Sequence, residues 1–83
     1  MRPIQPETYE LYLKGKYHLN KSKLEDWERA LVYFQEAIDR NPADAYAYSG
    51  LAEGYITLGH NALTPPEDVF PKALAASKRA IQL

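Results

Sequence analysis

An all-α fold is what this sequence predicts, and three observations predict it. Apolar residues recur at three- and four-residue intervals over most of the 83 residues, the period of helices that each bury one face. Clusters of proline, serine, threonine, asparagine and glycine fall where that pattern breaks, as helix ends require. Two of the helical segments also carry the same alanine and aromatic pattern 43 residues apart, so the architecture should repeat.

The first helix is expected over about residues 7–20. Pro6 suits its first turn, and Tyr9, Leu11, Tyr12, Leu13, Tyr17 and Leu19 follow at helical spacing. Ser22 stands three residues before Glu25, a capping-box pairing that predicts a second helix over about 23–40. Its apolar stripe is Leu24, Trp27, Ala30, Leu31, Phe34, Ala37 and Ile38, and Pro42 should end it by disfavouring helix at Asn41. Asn41 can cap a third helix over about 42–58, with Pro42 in its first turn, Asp44 facing the positive end of its dipole and Gly59 as a left-handed stop. His60 to Leu63 reads as a loop. Thr64 with Glu67 repeats the capping logic for a last segment, but Pro71 removes a helical hydrogen bond, so the expectation is either a short turn ending near Phe70 or a kink before a helix that runs to Leu83.

The repeat organises these elements. Trp27, Ala30, Ala37 and Ile38 reappear as Phe70, Ala73, Ala80 and Ile81, each 43 residues on. The central stretch carries Tyr48-x2-Leu51-Ala52-x2-Tyr55, preceded by Ala30-x3-Phe34 and Pro42. With these residues the chain resembles the tetratricopeptide repeat, whose 34-residue pattern has W-x2-L-G-x2-Y, then A-x3-F, then P. The resemblance covers Trp27 to Gly59 without a gap. With Gly15 in the glycine position, the first helix offers Leu11 for the tryptophan but Lys14 and His18 for the leucine and tyrosine. Gly15 to Ala52 is 37 residues, which implies a three-residue insertion around Lys21 to Leu24; the 43-residue offset implies nine more between Gly59 and Phe70. The phrases YELYLKGKY, AYAYSGLAEGY and LTPPEDVFPKA are further similar to repeats of bacterial signalling proteins, where such arrays follow nucleotide-cyclase, kinase or winged-helix regulator domains.

The resemblance implies a single domain, 1–83, of two helical hairpins at 7–42 and 43–83, stacked as a short right-handed superhelical fragment of a longer array. The last helix would start at 65 or 71, after an insert at 60–69. Gly15, Trp27, Ala30, Phe34, Ala37, Pro42, Tyr48, Leu51, Ala52, Tyr55, Ala73 and Ala80 would be its structural signature. It also implies a concave protein-binding face on the first helix of each hairpin: Tyr9, Tyr12, Lys16 and Leu19, then Tyr46, Ser49, Glu53 and Ile56. Tyrosine suits such a face, giving large contact area at low entropy cost. Tyr12 and Glu53 stand where a carboxylate clamp would want a cation or an amide, so a free C-terminal tail is not the expected ligand.

Glycine inside a helix costs about 1 kcal/mol relative to alanine, so Gly50 and Gly54 within one turn call for a packing reason. Ala30 and Ala52 are expected at the closest helix crossing, with the two glycines beside it to admit the following helix or keep the inner surface open. A phosphate-cradling loop would need its glycines between a strand and a helix start, and these sit mid-helix.

Composition excludes several other classes. Net charge is −1 with acids and bases interspersed, which leaves no global footprint for nucleic acid or an anionic membrane; Lys14, Lys16, Lys21 and Lys23 read as a solvated helix end. No run of apolar residues could span a bilayer, there is no cysteine, and His18 and His60 each lack a second ligand at metal-binding spacing. The expectation is therefore a soluble, cytoplasmic, non-catalytic module without cofactor or metal, whose partner is a segment of another protein. The alternative is self-association: the sequence stops at Ile81-Gln82-Leu83, before the proline that closes the repeat, and the exposed last hairpin could pair with another copy as a homodimer.

Overall fold

A computed structural model describes residues 5–61 and 64–83, and those residues form four α-helices and no strand: α1 (Pro6–Leu19), α2 (Leu24–Arg40), α3 (Ala45–His60) and α4 (Pro66–Gln82). The fold is all-α. Consecutive helices pack on one another, and α1 also reaches across to α3. Ala62 and Leu63, part of the expected loop and insert, lie outside the described residues, as do residues 1–4.

Alternation of large and small residues builds the core. Phe34 has no exposed surface, and Ala30, Ala37 and Ala47 have none either. A Cβ built at Gly15 of α1 would stand 2.7 Å from Phe34 Cζ, and one at Gly50 of α3 would stand 2.6 Å from Phe34 Cδ1. The ring of α2 is thus wedged between two helices at positions where neither has a side chain, the close approach that justifies glycine in mid-helix. Gly54 performs the same service for Leu31 of α2, its absent Cβ lying 2.6 Å from Leu31 Cδ2. Gly50 and Gly54 therefore admit side chains from the preceding helix, not the following one.

Helix starts and stops differ in detail from those the sequence suggests. At the first turn the capping box does not form. Lys23 occupies the N-cap of α2 without a side-chain bond, while the Trp27 indole donates to the Lys21 carbonyl at 2.7 Å and His18 Nδ1 meets Asp26 Oδ1 at 2.9 Å. Burying Trp27 sets the register there, and local capping yields to it. Between α2 and α3, Asn41 ends the former in extended geometry, as a residue before proline must, and spends its carboxamide oxygen on the Ala43 N–H. Asp44 takes the N-cap of α3 instead and accepts from the Ala47 N–H at 3.2 Å, so the helix starts three residues later than expected.

Gly59 does not stop α3. It stays helical because α4 crosses there: a Cβ at Gly59 would lie 2.8 Å from both Val69 Cγ2 and Phe70 Cε1. The Asn61 carboxamide closes the end instead by donating to the Thr57 carbonyl at 2.7 Å. Helix α4 begins after Pro65, without a Thr64 cap, and runs unbroken through Pro71, so no turn ends at Phe70. The proline forfeits a single early backbone bond, while Val69, Ala73 and Ala76 on one stripe are buried and hold the helix on both sides of it.

Candidate binding face

Helices α1 and α3 lie side by side in a definite register. Tyr9 and Tyr46, 37 residues apart in sequence, meet edge-on with ring centroids 6.2 Å apart. Lys16 and Glu53, separated by the same interval, form an ion pair at 2.6 Å. Residues at equal positions in the two helices are thus neighbours in space, and their side chains make one continuous surface.

That surface has an aromatic part and an ionic part. Tyr12 completes the aromatic part: its ring stacks on Tyr9 at 5.9 Å and tilts against Tyr46 at 5.6 Å and against Phe34 at 6.0 Å. Tyr12 is half-buried and rooted on the core through Phe34, whereas Tyr9 and Tyr46 are exposed. Three rings locked by mutual contact lose little further freedom on binding, and their faces can take apolar or proline-containing segments. One turn along, the Lys16 hydrogen bond to Glu53 raises the lysine above its ordinary range, its partial burial acting in the opposite sense. A lysine engaged in this way offers no free charge to a carboxylate ligand.

The remaining residues expected on this face divide. Ser49, Glu53 and Ile56 are exposed along α3. Leu19 is not on the face: it is buried, because it lies four residues past Gly15 and so continues the inward stripe of Thr8, Leu11 and Gly15. Of the expected signature, Gly15, Trp27, Ala30, Phe34, Ala37, Leu51, Ala52 and Ala73 are buried, while Tyr48 and Tyr55 pack half-buried against the core. Ala80 is half-buried and Pro42 is exposed in the turn before α3.

Beyond Tyr46 the face opens into a groove between α3 and α4 of about 350 Å³, walled by Tyr46, Ser49, Ala52, Ser77, Ala80 and Ile81. No charged side chain lines it. Periodicity did not reveal this groove, although the small residues at 52, 77 and 80 were its signal. Among the described residues no three His, Asp or Glu side chains gather as a metal site, and no helix is long and apolar enough to cross a membrane. No protein-family model matches this chain, and neither do any curated protein or solved structure, so the reading of the face rests on its geometry.

Proposed function

We propose that this chain is a helical-repeat module of the tetratricopeptide kind that binds a segment of another protein across the α1/α3 face. It acts without catalysis or cofactor, as the recruiting part of a larger cytoplasmic signalling or regulatory protein. The observation that carries this reading is the cluster of Tyr9, Tyr12 and Tyr46, in which the exposed rings of Tyr9 and Tyr46 belong to two helices at equal register and Tyr12 anchors them on the core. Equal-register contact between first helices is what stacking of hairpins produces, and such stacks present their first helices as one inner surface. The chemistry favours a neutral segment rich in proline or aromatic residues. Tyrosine faces supply apolar contact and hydroxyl groups, and Lys16 and Glu53 neutralise each other.

Selection of a random library of about 12-residue peptides on the immobilised chain tests this, followed by titration of the selected sequences. Neutral, proline- or aromatic-containing binders are expected, with affinity reduced at least about tenfold by Tyr46→Ala or Tyr9→Ala, since truncating an aromatic anchor costs on the order of 2 kcal/mol. Binders indifferent to both substitutions, or an acidic C-terminus whose binding is lost on amidation, would overturn the proposal.

A further inference from the structure

The groove between α3 and α4 corresponds, residue for residue, to the place where α3 itself docks on α1 and α2. The 37-residue interval that relates α1 to α3 turns Tyr9, Tyr12 and Gly15 into Tyr46, Ser49 and Ala52. The 43-residue interval that relates α2 to α4 turns Phe34, Ala37 and Ile38 into Ser77, Ala80 and Ile81. All six products wall the groove. It is a helix seat with its knob removed, because serine stands where the first hairpin has Phe34.

What fits such a seat follows from the internal interface. There the incoming helix brings Gly50 to Phe34 and Gly54 to Leu31, small against large. Carried back by the same 37 residues, the positions of Gly50 and Gly54 on α1 are Leu13 and Tyr17, and these side chains are 49% and 59% exposed. Carried forward by 43, Leu31 becomes Leu74, which is 57% exposed, and Ile81 on the wall of the seat is 83% exposed. At one of the two pairs the size relation is inverted, α1 offering Leu13 where α4 offers Ser77; at the other, Tyr17 meets Leu74, large against large.

We infer that a second copy of this chain is the occupant. Its α1 seats on α3 and α4 as α3 seats on α1 and α2, with Leu13 filling the space over Ser77 and Tyr17 packing on Leu74. The junction continues an interface the fold already contains, opened at the end where Tyr17 stands in place of Gly54 and Leu74 in place of Leu31. Glu10 takes the register of buried Ala47, which makes the junction weaker than its internal counterpart and its formation dependent on concentration. Head and tail differ, so the contact is heterologous and does not close after two copies. This inference does not rest on the peptide-binding reading, and a monomeric variant that still binds selected peptides separates the two.

Light scattering of the full chain over a wide concentration range, with Leu13→Glu and Ser77→Glu, reads it. Wild type should grow past two copies, and each variant alone should stay at the 9.5 kDa of one chain with unchanged helical circular dichroism. Mixed in equal amounts, the variants should form a stable dimer and stop, because one intact head meets one intact tail. Should Leu13→Glu lose helicity, Tyr17→Glu on the same face takes its place. A wild type that is monomeric throughout, a mass that plateaus at two, variants that assemble like wild type, or a mixture no heavier than its parts would each overturn the inference.

Discussion

Replacing Gly50 with alanine sets two effects of opposite sign against each other, and the structure decides between them. In an exposed helix the substitution stabilises by about 1 kcal/mol through backbone entropy. Here the new methyl would lie 2.6 Å from Phe34 Cδ1 and 2.8 Å from Cζ. Carbon atoms pack no closer than about 3.5 Å, so the ring must retreat by nearly an ångström. It has nowhere to go, since Gly15 confronts its opposite side with Cζ only 2.7 Å from a Cβ position, and the side chain has no exposed surface through which to swing. Overpacking of this kind costs about 1–3 kcal/mol.

The expected net effect of Gly50→Ala is a loss of about 1–2 kcal/mol, read by urea unfolding at 222 nm. That is a large share of the roughly 3–5 kcal/mol a core of this size supplies. Ser49→Ala, one residue away and exposed, is the control for propensity and should be neutral or gain a few tenths of a kcal/mol. Phe34→Leu on its own should destabilise, but in the Gly50→Ala background it relieves the clash, so the double-mutant cycle should show a favourable coupling of about 1 kcal/mol or more. A Gly50→Ala protein about 1 kcal/mol more stable than wild type, with no coupling to Phe34, would refute the wedge and leave the glycine without a packing role.

Three further outcomes follow from the same contacts. Asp44→Ala should cost about 1 kcal/mol as the loss of an N-cap, while Ser22→Ala and Thr64→Ala, which cap nothing, should stay within about 0.5 kcal/mol by the same unfolding assay. Trp27→Phe should lose about 1 kcal/mol with the indole bond to Lys21, and the single tryptophan should emit at a buried wavelength that shifts red only on unfolding. Lys16→Gln should cost about 0.2–1 kcal/mol near neutral pH, small because Glu53 is exposed and Lys16 only half-buried. The folded state raises the lysine above its unfolded value, so this contribution is fully present below the unfolded lysine range and disappears as pH rises through the folded one. The gap between wild type and Lys16→Gln should therefore close as pH rises into the strongly alkaline range.

Helix existence was legible because periodicity reports burial directly, and all four stripes bury residues the pattern marked, from Leu11 and Trp27 to Leu51 and Ala73. The ends were less so. Each turn holds several competent cappers within a few residues, Ser22 beside Lys23 or Asn41 near Asp44, and local chemistry cannot rank them once Trp27 or Pro42 has fixed the chain path. Gly59 carried the signature of a stop, yet the crossing of Val69 and Phe70 gave it a different use. Leu19 was misplaced because a stripe drawn at three- and four-residue steps drifts around a helix, and by the third turn it had reached the buried side. The Tyr9–Tyr46 and Lys16–Glu53 contacts were latent in the 37-residue interval, but an interval becomes a distance only when the helices are known to lie side by side.

The pairing of Gly50 with Phe34 also bears on whether two copies can exchange α1 and α3. A repeat protein whose hairpins resemble each other risks having a neighbour's first helix displace its own. In this chain α1 cannot take the place of α3 against Phe34, because Leu13 would bring a branched side chain to a ring that tolerates no Cβ. Conversely, α3 placed over Ser77 would leave the groove empty under Gly50, forfeiting the burial that Leu13 supplies there. Each seat thus rejects the other's helix by volume alone. Leu13→Gly together with Tyr17→Gly removes that discrimination against Phe34 and Leu31, so the pair should raise the fraction of exchanged dimers trapped after refolding at high concentration, measured by size exclusion. An unchanged fraction would mean that connectivity, not the glycine and phenylalanine pairing, keeps α3 in its seat.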